Sequence, residues 1–415
     1  MITSATLETA LERLDYLIEP LNETVNVPIE AALGLVSAGD VRTTTAVPPF
    51  DRSSMDGYAM RGADTLGATA DNPARLRVVG AVYAGSVLGR ELGPGEAVSI
   101  MTGAAMPAGA DCMLPKEIVT VDSGWALIPR PARKHENYIF SGEDIKVGEV
   151  FIKPFTKLDF AHLAMLAAAG LERITVFRQP NIGVFCVGEE FSPAGGPLAE
   201  GKIYNSNGIM LNARLAELGF ATSPHRILPD DPGPSARIIA GTAGALDIII
   251  STGSVSVGDK DIMGRVFGLL GAELDVHRLA FKPGHAFMCG RHGRKPMFCL
   301  SGNPFAALAT FELLVRPALA RLAHRPDLTL TRAKAVLQTP FSGGKGGSSP
   351  RRFLRARLVL PTEARLPEVF LPDDHSSGRL FSLPGCNCLV DMKEGLKGLA
   401  VGDIVEIVKL GLTNQ

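Results

Sequence analysis

Acidic side chains follow three predicted strands in the middle of the chain. Glu190 comes after the apolar run NIGVFCVG, Asp230 follows the short run HRIL, and Asp261 lies in the loop after DIIIST. In doubly wound sheets, ligands bind at the carboxyl ends of the strands, and carboxylate oxygens are the ligands that Mg²⁺ prefers. The pattern predicts a Mg²⁺ site held by Glu190, Asp230 and Asp261. The alternative is that Asp230 only begins a helix and Asp261 is solvated.

Two loops rich in Gly and hydroxyl side chains also stand at strand ends. One follows DIIIST, and the other follows PMFCL and leads into a helix that begins near Pro304. Glycine lets the backbone approach a ligand closely, and a turn that feeds a helix N-terminus offers free N–H groups to phosphate. We expect a phosphate-bearing substrate to contact Gly253, Ser254, Ser256, Gly258, Ser301, Gly302, Asn303 and Pro304.

Basic side chains accompany these loops. Lys282 lies in LAFKPGHAF, with Arg278 shortly before it and His285 shortly after it. Because cationic groups form strong hydrogen bonds to anionic oxygens, we expect these three side chains to bind the substrate's oxyanions. Taken singly, each loop is more often a structural turn, and Lys282 alone could be an ordinary surface lysine. The functional interpretation rests on the coincidence of these features at one edge of one sheet.

The elements that must position these residues change in type along the chain. Apolar strands that alternate with helices are typical of a mostly parallel sheet with crossover connections. Short strands cut by Gly and Pro indicate β-rich domains. We therefore predict a multidomain α/β plus β protein. Its domains are a discontinuous helical linker domain (1–47 with 141–177), a β-rich domain (48–140), an α/β domain (178–326) and a barrel-like C-terminal β domain (327–415). Within the last, SGGKGGSSPRR is predicted to be an exposed, flexible, basic loop.

The composition limits the classes of function. The 415 residues carry 42 Lys+Arg and 43 Asp+Glu, a net charge of −1, which indicates neither a nucleic acid nor an acidic membrane as partner. The first residues are not a signal peptide, because acidic residues such as Glu8 and Glu12 interrupt the apolar positions. We expect a cytoplasmic protein whose six cysteines are reduced and buried.

A second polar cluster lies earlier in the sequence, in PPFDRSSMDGYAMR and IMTGAAMPAGAD. Its spacing alone does not favour function over turn chemistry. With these two segments, however, the chain resembles the molybdopterin molybdotransferase family, which includes MoeA and the E domain of gephyrin-type proteins. The resemblance continues in family order through SGEDI, IGVFCVGEE, KIYNSN, LPDDP, ISTGSVSVGDKD, LAFKPGHAF and LSGNPFAALATF.

The resemblance implies a reaction, a metal and an assembly. Members of the family insert molybdate into adenylylated molybdopterin and release AMP, usually with Mg²⁺. The resemblance also implies a homodimer whose active site combines one subunit's α/β domain, of the molybdopterin-binding type, with the partner's β-rich domain. By motif, the implied catalytic residues are Asp56, Thr102, Glu190, Asp230, Asp261 and Lys282.

The sequence departs from the family pattern at several positions, among them Ala286, which replaces a frequent Pro. Ser254 replaces the second Gly of a Gly-Gly-Val-Ser-Val-Gly segment, and His285 stands where Lys is frequent. Arg278 also replaces a common Lys, and Ser301 replaces a common Pro. A neutral His in place of Lys removes a fixed positive charge. These changes keep open the alternative of a non-catalytic paralogue or a gephyrin-like scaffold that binds a partner.

Overall fold

The computed structural model describes residues 1–192, 194–255, 262–342, 349–361 and 365–411. These residues form two compact units. The first holds Met1–Val25 together with the chain from Phe177 onward, and the second holds Asn26–Val176. Among the described residues, no helix is long and apolar enough to cross a membrane.

A seven-stranded sheet forms the centre of the first unit. Its strands are, in spatial order, Ile2–Ala5, Glu273–Leu279, Met288–His292, Lys295–Leu300, Ile248–Thr252, Ile182–Val187 and Arg226–Leu228. Six strands run parallel, and Met288–His292 is antiparallel to both of its neighbours. Every residue of Ile182–Val187 and of Ile248–Thr252 is buried, as expected for strands covered on both faces. The predicted α/β domain with a mostly parallel sheet is confirmed.

Helices cover this sheet. They are Leu7–Leu17, Ser206–Glu217, Pro232–Ala243, Met263–Leu269, Pro304–Thr310, the π-helical turn Phe311–Val315, Arg316–Leu322 and the 3₁₀ turn Pro326–Leu328. Asn205 begins the second helix and accepts a hydrogen bond from Gly208 N, and Asp231 caps the third by accepting one from Gly233 N. Asp231 therefore begins the helix, and Asp230, one residue earlier, takes no part in the capping bond.

The structure assigns the N-terminal strand and helix to a different part of the protein from the one that the sequence predicts. The sequence groups residues 1–47 with 141–177, whereas the structure places Met1–Val25 with the α/β unit. Ile2–Ala5 pairs with Glu273–Leu279 at the sheet edge. The buried side chains of the helix Leu7–Leu17 belong to the same apolar core as the central strands. The remaining boundaries of the four-domain division stay predictions.

A second sheet follows the α/β part in the same unit. Its order is Phe281–Lys282, Arg351–Val359, Glu368–Phe370, Thr331–Leu337, Ile404–Lys409 and Cys388–Met392. A further pairing of Arg351–Val359 with Cys388–Met392 closes five of these strands into a barrel. Two short pairs, Phe341–Ser342 with Gly398–Leu399 and Phe191–Ser192 with Ile203–Tyr204, complete the strands of the unit.

The start of the long barrel strand corrects one sequence interpretation. SGGKGGSSPRR is predicted to be an exposed loop, but Arg351 and Arg352 begin the strand and are half-buried. Residues 343–348 of that segment lie outside the described residues. Pairing with Phe281–Lys282 and with Cys388–Met392 fixes the two arginines in the sheet.

The second unit contains a six-stranded sheet. Its order is Cys112–Pro115, Gly57–Met60, Glu96–Ile100, Ala74–Val82, Trp125–Ile128 and Thr120–Asp122. The other elements of this part of the chain are Thr24–Pro28, Val41–Arg42, Arg52–Ser53, Tyr138–Ile139, Val150–Ile152, Arg173–Phe177, the helix Phe160–Ala168 and the 3₁₀ turns Ile29–Ala31 and Gly62–Thr65. The helix Phe160–Ala168 ends before Gly170, whose φ of 73° suits glycine.

Candidate active site

Asp230 lies at the carboxyl edge of the seven-stranded sheet, as its position after a strand predicts. Its Oδ2 accepts a hydrogen bond from Glu189 N at 3.1 Å, and its Oδ1 accepts one from Ser254 Oγ at 3.1 Å. The strands that end at Val187, Leu228 and Thr252 are neighbours in the sheet, so their loops meet at this point. The carboxylate is therefore held by donors from the loops of the two other strands.

Glu190 stands on the same loop as Glu189 and is exposed. Its carboxylate folds back over Gly188, where an added Cβ would lie 2.0 Å from Glu190 Oε2. Gly188 has a φ of 154°, which residues with a side chain rarely adopt, so the backbone rather than the movable Glu190 side chain favours glycine here. The loop thus presents an acidic side chain directly above a strand end.

The loop after Ile248–Thr252 begins with two residues of positive φ. Gly253 has a φ of 97°, and a Cβ there would lie 2.4 Å from Val187 O, so only glycine fits. Ser254 has a φ of 50°, in the left-handed region that is costly for residues other than glycine. Its hydroxyl compensates with the hydrogen bond to Asp230. The predicted site residues Ser256, Gly258 and Asp261 lie outside the described residues.

The predicted Mg²⁺ ligands are tested by the structure only in part. Glu190 and Asp230 stand at one edge and offer hard oxygen ligands of the kind that Mg²⁺ prefers. In the part of the chain that the structure describes, no three His, Cys, Asp or Glu side chains form a metal cluster. The donor chemistry fits Mg²⁺, and the convergence of the three carboxylates stays a prediction.

A cavity of about 330 Å³ lies between the sheet and the C-terminal barrel. Four of the predicted substrate-binding residues line it: Lys282, His285, Ser301 and Asn303. The structure adds three polar residues from the C-terminal region, which the sequence does not single out: Arg352, His375 and Ser377. None of the described residues that line the cavity is acidic. Cationic and hydroxyl groups without a carboxylate favour an anionic ligand.

Strand pairing brings the two basic side chains of the cavity together. Phe281–Lys282 runs parallel to the start of Arg351–Val359, and Lys282 is the register partner of Arg352. They are separated by 70 positions in sequence. The basic pair Arg351-Arg352 is a visible signal, but only the pairing shows which strand receives it.

The loop Ser301–Asn303 is held from below by side chains of the sheet and the helix Ser206–Glu217. Thr252 Oγ1 donates to Ser301 O at 2.7 Å, and Asn207 Nδ2 donates to Gly302 O at 2.8 Å and to Thr252 Oγ1 at 3.1 Å. Asn303 occupies the N-cap position of the helix that begins at Pro304 but accepts no capping bond. Its side chain lines the cavity instead.

Arg355 fixes the segment that supplies His375 and Ser377. Its buried guanidinium donates to the carbonyl oxygens of Asp374, Ser376 and Arg379, at 3.0, 2.6 and 3.1 Å. Ser377 O in turn accepts a hydrogen bond from Phe305 N. Burial, together with the positive charge of Arg355, lowers the pKa of His375 to about 4. His375 is therefore neutral at physiological pH.

His285 and Arg278 have different surroundings. His285 Nδ1 lies 2.6 Å from Leu279 O, which fixes the ring beside the cavity. Arg278 has a φ of 73°, and its backbone N donates to Phe287 O at 2.7 Å. It is not among the described residues that line the cavity.

In the second unit, Asp56 joins Thr102 and Lys116. Asp56 Oδ1 accepts hydrogen bonds from Thr102 N and Oγ1, and Asp56 Oδ2 accepts one from Lys116 Nζ at 3.1 Å. The bonds from Thr102, followed by that from Lys116, lower the pKa of Asp56 to about 2. Lys116 is a further residue that the sequence does not single out. The residue after Asp56 must be glycine, because a Cβ on Gly57 would lie 2.0 Å from Leu114 O.

The fold and the site define a class: a multidomain protein with an α/β domain of the molybdopterin-binding type, an anion cavity and strand-end carboxylates. Three family models match the chain. They describe the MoeA N-terminal region (domain I and II) over residues 5–170, a probable molybdopterin binding domain over 183–321, and the MoeA C-terminal region (domain IV) over 334–410.

Individual relatives agree with these models. A molybdopterin molybdenumtransferase of Staphylococcus aureus is 32% identical over 386 residues, which cover 92% of this chain and 90% of the relative. One of Staphylococcus epidermidis is 30% identical over 387 residues, covering 93% and 91%. The crystal structure of a molybdopterin biosynthesis MoeA protein from Pyrococcus horikoshii superposes with a TM-score of 0.81 at 32% identity, covering 98% of this chain and 99% of that one.

The chain belongs to the MoeA family of molybdopterin molybdenumtransferases. It is a transferase of molybdenum cofactor biosynthesis.

Proposed function

We propose that the protein inserts molybdate into adenylylated molybdopterin and releases AMP, acting in the cytoplasm. The observation that supports this proposal is the cavity that Lys282, Arg352, Ser301 and Ser377 line without a carboxylate among its described lining residues. A tetrahedral oxyanion needs converging donors and positive charge, and this cavity provides both. We assign it as the binding site of the oxyanion substrate.

The carboxylate edge has a separate task in this proposal. Glu190, Asp230 and Asp261 would hold Mg²⁺ through carboxylate oxygens. When bound, Mg²⁺ would act as a Lewis acid on the phosphate oxygens of the substrate. Glu189 N and Ser254 Oγ hold the Asp230 carboxylate in place. Gly253 allows the loop to pass close to the neighbouring strand end. The other residues that the sequence predicts as substrate contacts are Ser256, Gly258, Gly302 and Pro304. In this proposal they bind the phosphate and the pterin of the substrate.

Asp56 and Thr102 contribute from the second unit, and we propose a homodimer in which they complete the partner's site. Because its pKa is about 2, Asp56 is ionised at neutral pH and is a poor general base. Its role is to orient Thr102 and Lys116. A gephyrin-like scaffold function would leave these residues without a chemical task, and a test of catalysis separates the two functions.

The test uses purified protein, adenylylated molybdopterin, molybdate and Mg²⁺, with AMP release as the readout. Arg352→Gln removes a cavity cation and should weaken molybdate binding about tenfold or more. Arg357→Gln is the matched control, since Arg357 is exposed on the same strand and stacks on Phe370 away from this cavity. Equal molybdate affinity in the two variants would contradict the assignment of the cavity.

A further inference from the structure

His285 has a fixed tautomer in this fold. Its Nδ1 lies 2.6 Å from Leu279 O, and Leu279 N donates back to His285 O at 3.2 Å. A carbonyl oxygen only accepts hydrogen bonds, so Nδ1 must carry the proton. The two reciprocal bonds close the turn Leu279–His285 and hold the ring at the wall of the cavity. Nε2 is the nitrogen that remains for a ligand.

The charge of the ring decides what Nε2 offers. In the neutral ring with Nδ1 protonated, Nε2 carries only a lone pair, which repels an oxyanion oxygen. In the imidazolium, Nε2 carries a proton and the ring a positive charge, so it donates a charge-assisted hydrogen bond. Imidazole side chains are the ones that change between these states from pH 5 to pH 8.

Three other charged or titratable side chains share the described wall of the cavity with His285. Lys282 stands on the same turn, and Arg352 faces the cavity from the barrel strand. His375, on the segment held by Arg355, is neutral because burial lowers its pKa to about 4. No acidic residue is among the described residues of the wall. A doubly negative oxyanion that is bound beside His285 favours the charged form of the imidazole.

We propose that His285 binds the oxyanion substrate as an imidazolium, so that oxyanion binding takes up a proton. This inference rests on the proposed oxyanion cavity and adds a specific role for one residue of its wall. It follows that affinity for molybdate falls by about tenfold between pH 6 and pH 8, as expected for one linked imidazole proton. A lysine at this position would carry its charge at both pH values and would remove the dependence.

Isothermal titration calorimetry of molybdate into the full-length protein tests the proposal. At pH 8, the binding enthalpy is measured in buffers of different ionisation enthalpy, and the slope gives the number of protons taken up. We expect more than half a proton for the natural protein, and close to none for His285→Lys and His285→Gln. His285→Lys should bind molybdate more tightly than the natural protein at pH 8. His292→Gln is the matched control and should keep the uptake, because His292 ends the strand Met288–His292 and is not among the described residues that line the cavity. His375→Gln tests the other histidine of the cavity and should keep the uptake as well.

The outcomes separate the inference from the function on which it rests. Molybdate binding that depends on Arg352 but takes up no proton would overturn the role of His285 and leave the cavity assignment in place. Uptake that persists in His285→Gln and disappears in His375→Gln would also overturn it. If molybdate does not bind, or binds equally well to Arg352→Gln, the cavity assignment fails and the inference fails with it.

Discussion

Thr102 donates both its backbone N–H and its hydroxyl to the same carboxylate oxygen of Asp56, at 2.9 and 2.7 Å. The single hydroxyl proton is therefore committed, and Thr102 Oγ1 presents only lone pairs to a ligand. Thr102 is exposed, so those lone pairs are accessible. The pair forms an acceptor site that Asp56 orients.

Replacing Thr102 by Val should reduce AMP release about tenfold or more while leaving the fold intact, because it removes the acceptor without changing the shape of the side chain. Thr102→Ser keeps the hydroxyl and should retain most activity. Steady-state AMP release and thermal unfolding of both variants check this. Activity that is retained in the Val variant and lost in the Ser variant would show that the methyl group, not the hydroxyl, matters.

Asp56 should make no contribution to the pH dependence of activity between pH 5 and pH 9. Its pKa is lowered to about 2 in the folded protein, so the stability that it contributes is present above its unfolded pKa, near 4, and is lost as the pH falls through about 2. Asp56→Asn should therefore lower AMP release by a constant factor across that range. A variant profile whose shape differs from that of the natural protein would contradict this.

Ser254 should act on metal affinity through Asp230. Ser254→Gly relieves the strain of a positive φ but removes the hydroxyl that holds Asp230, whereas Ser254→Ala removes the hydroxyl and keeps the strain. Both should raise the Mg²⁺ concentration for half-maximal AMP release several-fold, and the Ala variant should also be about 1 kcal/mol less stable than the Gly variant. Unchanged Mg²⁺ dependence in both variants would show that Ser254 does not position a metal ligand.

Asp391 should be a main acid-sensitive group of the barrel. Its buried carboxylate accepts hydrogen bonds from Arg351, Arg332 and Lys393, and although burial opposes ionisation, these contacts lower its pKa to about 2. The resulting stability, about 2 kcal/mol, is present above pH 4 and is lost as the pH falls towards 2.

Asp391→Asn should therefore destabilise the protein by about 3 kcal/mol at pH 7, because it leaves the largely buried Arg351 and the more exposed Arg332 and Lys393 without their counter-charge. Glu406→Gln is the control. Its carboxylate contacts Lys393 at 2.6 Å but is about half exposed, so the loss should stay below about 1 kcal/mol. Urea unfolding at pH 7 and pH 3 measures both. A similar loss of unfolding free energy in the two variants would show that Asp391 is not the dominant carboxylate of this ion-pair cluster.

Subunit complementation tests the proposed shared site. Dimers of the Asp56→Ala chain and dimers of the Asp261→Ala chain should each be inactive. Mixed dimers should recover part of the AMP release, because one of their two sites then contains both an intact Asp56 and an intact Asp261. Subunit exchange is verified by mass spectrometry of the mixture. Absence of recovery in proven heterodimers would place all of these residues in one subunit's site.

The sequence predicts those features of the fold and site that depend on local pattern. Buried apolar runs identify Ile182–Val187 and Ile248–Thr252 as central strands. The side chains that follow them, such as Glu190, stand at the carboxyl edge because parallel strands end together.

Features that depend on the pairing of strands distant in sequence could not be predicted from local pattern. The strand Ile2–Ala5 joins the edge of the α/β sheet through contacts with residues more than 270 positions away. Arg352 enters the cavity because its strand pairs with Lys282, and His375 enters because Arg355 holds its backbone. Neither hydrophobic periodicity nor turn composition encodes these partners, and the family resemblance identifies motifs rather than side-chain contacts.

The proposed activity is the insertion of molybdate coupled to cleavage of the adenylyl group. Its most direct measurement is AMP release from adenylylated molybdopterin by the purified protein with Mg²⁺, with and without molybdate, together with the molybdenum retained on the pterin product. We predict AMP release that requires molybdate, with one molybdenum gained for each AMP. AMP release at the same rate without molybdate, or molybdenum insertion without AMP release, would contradict the proposed coupling.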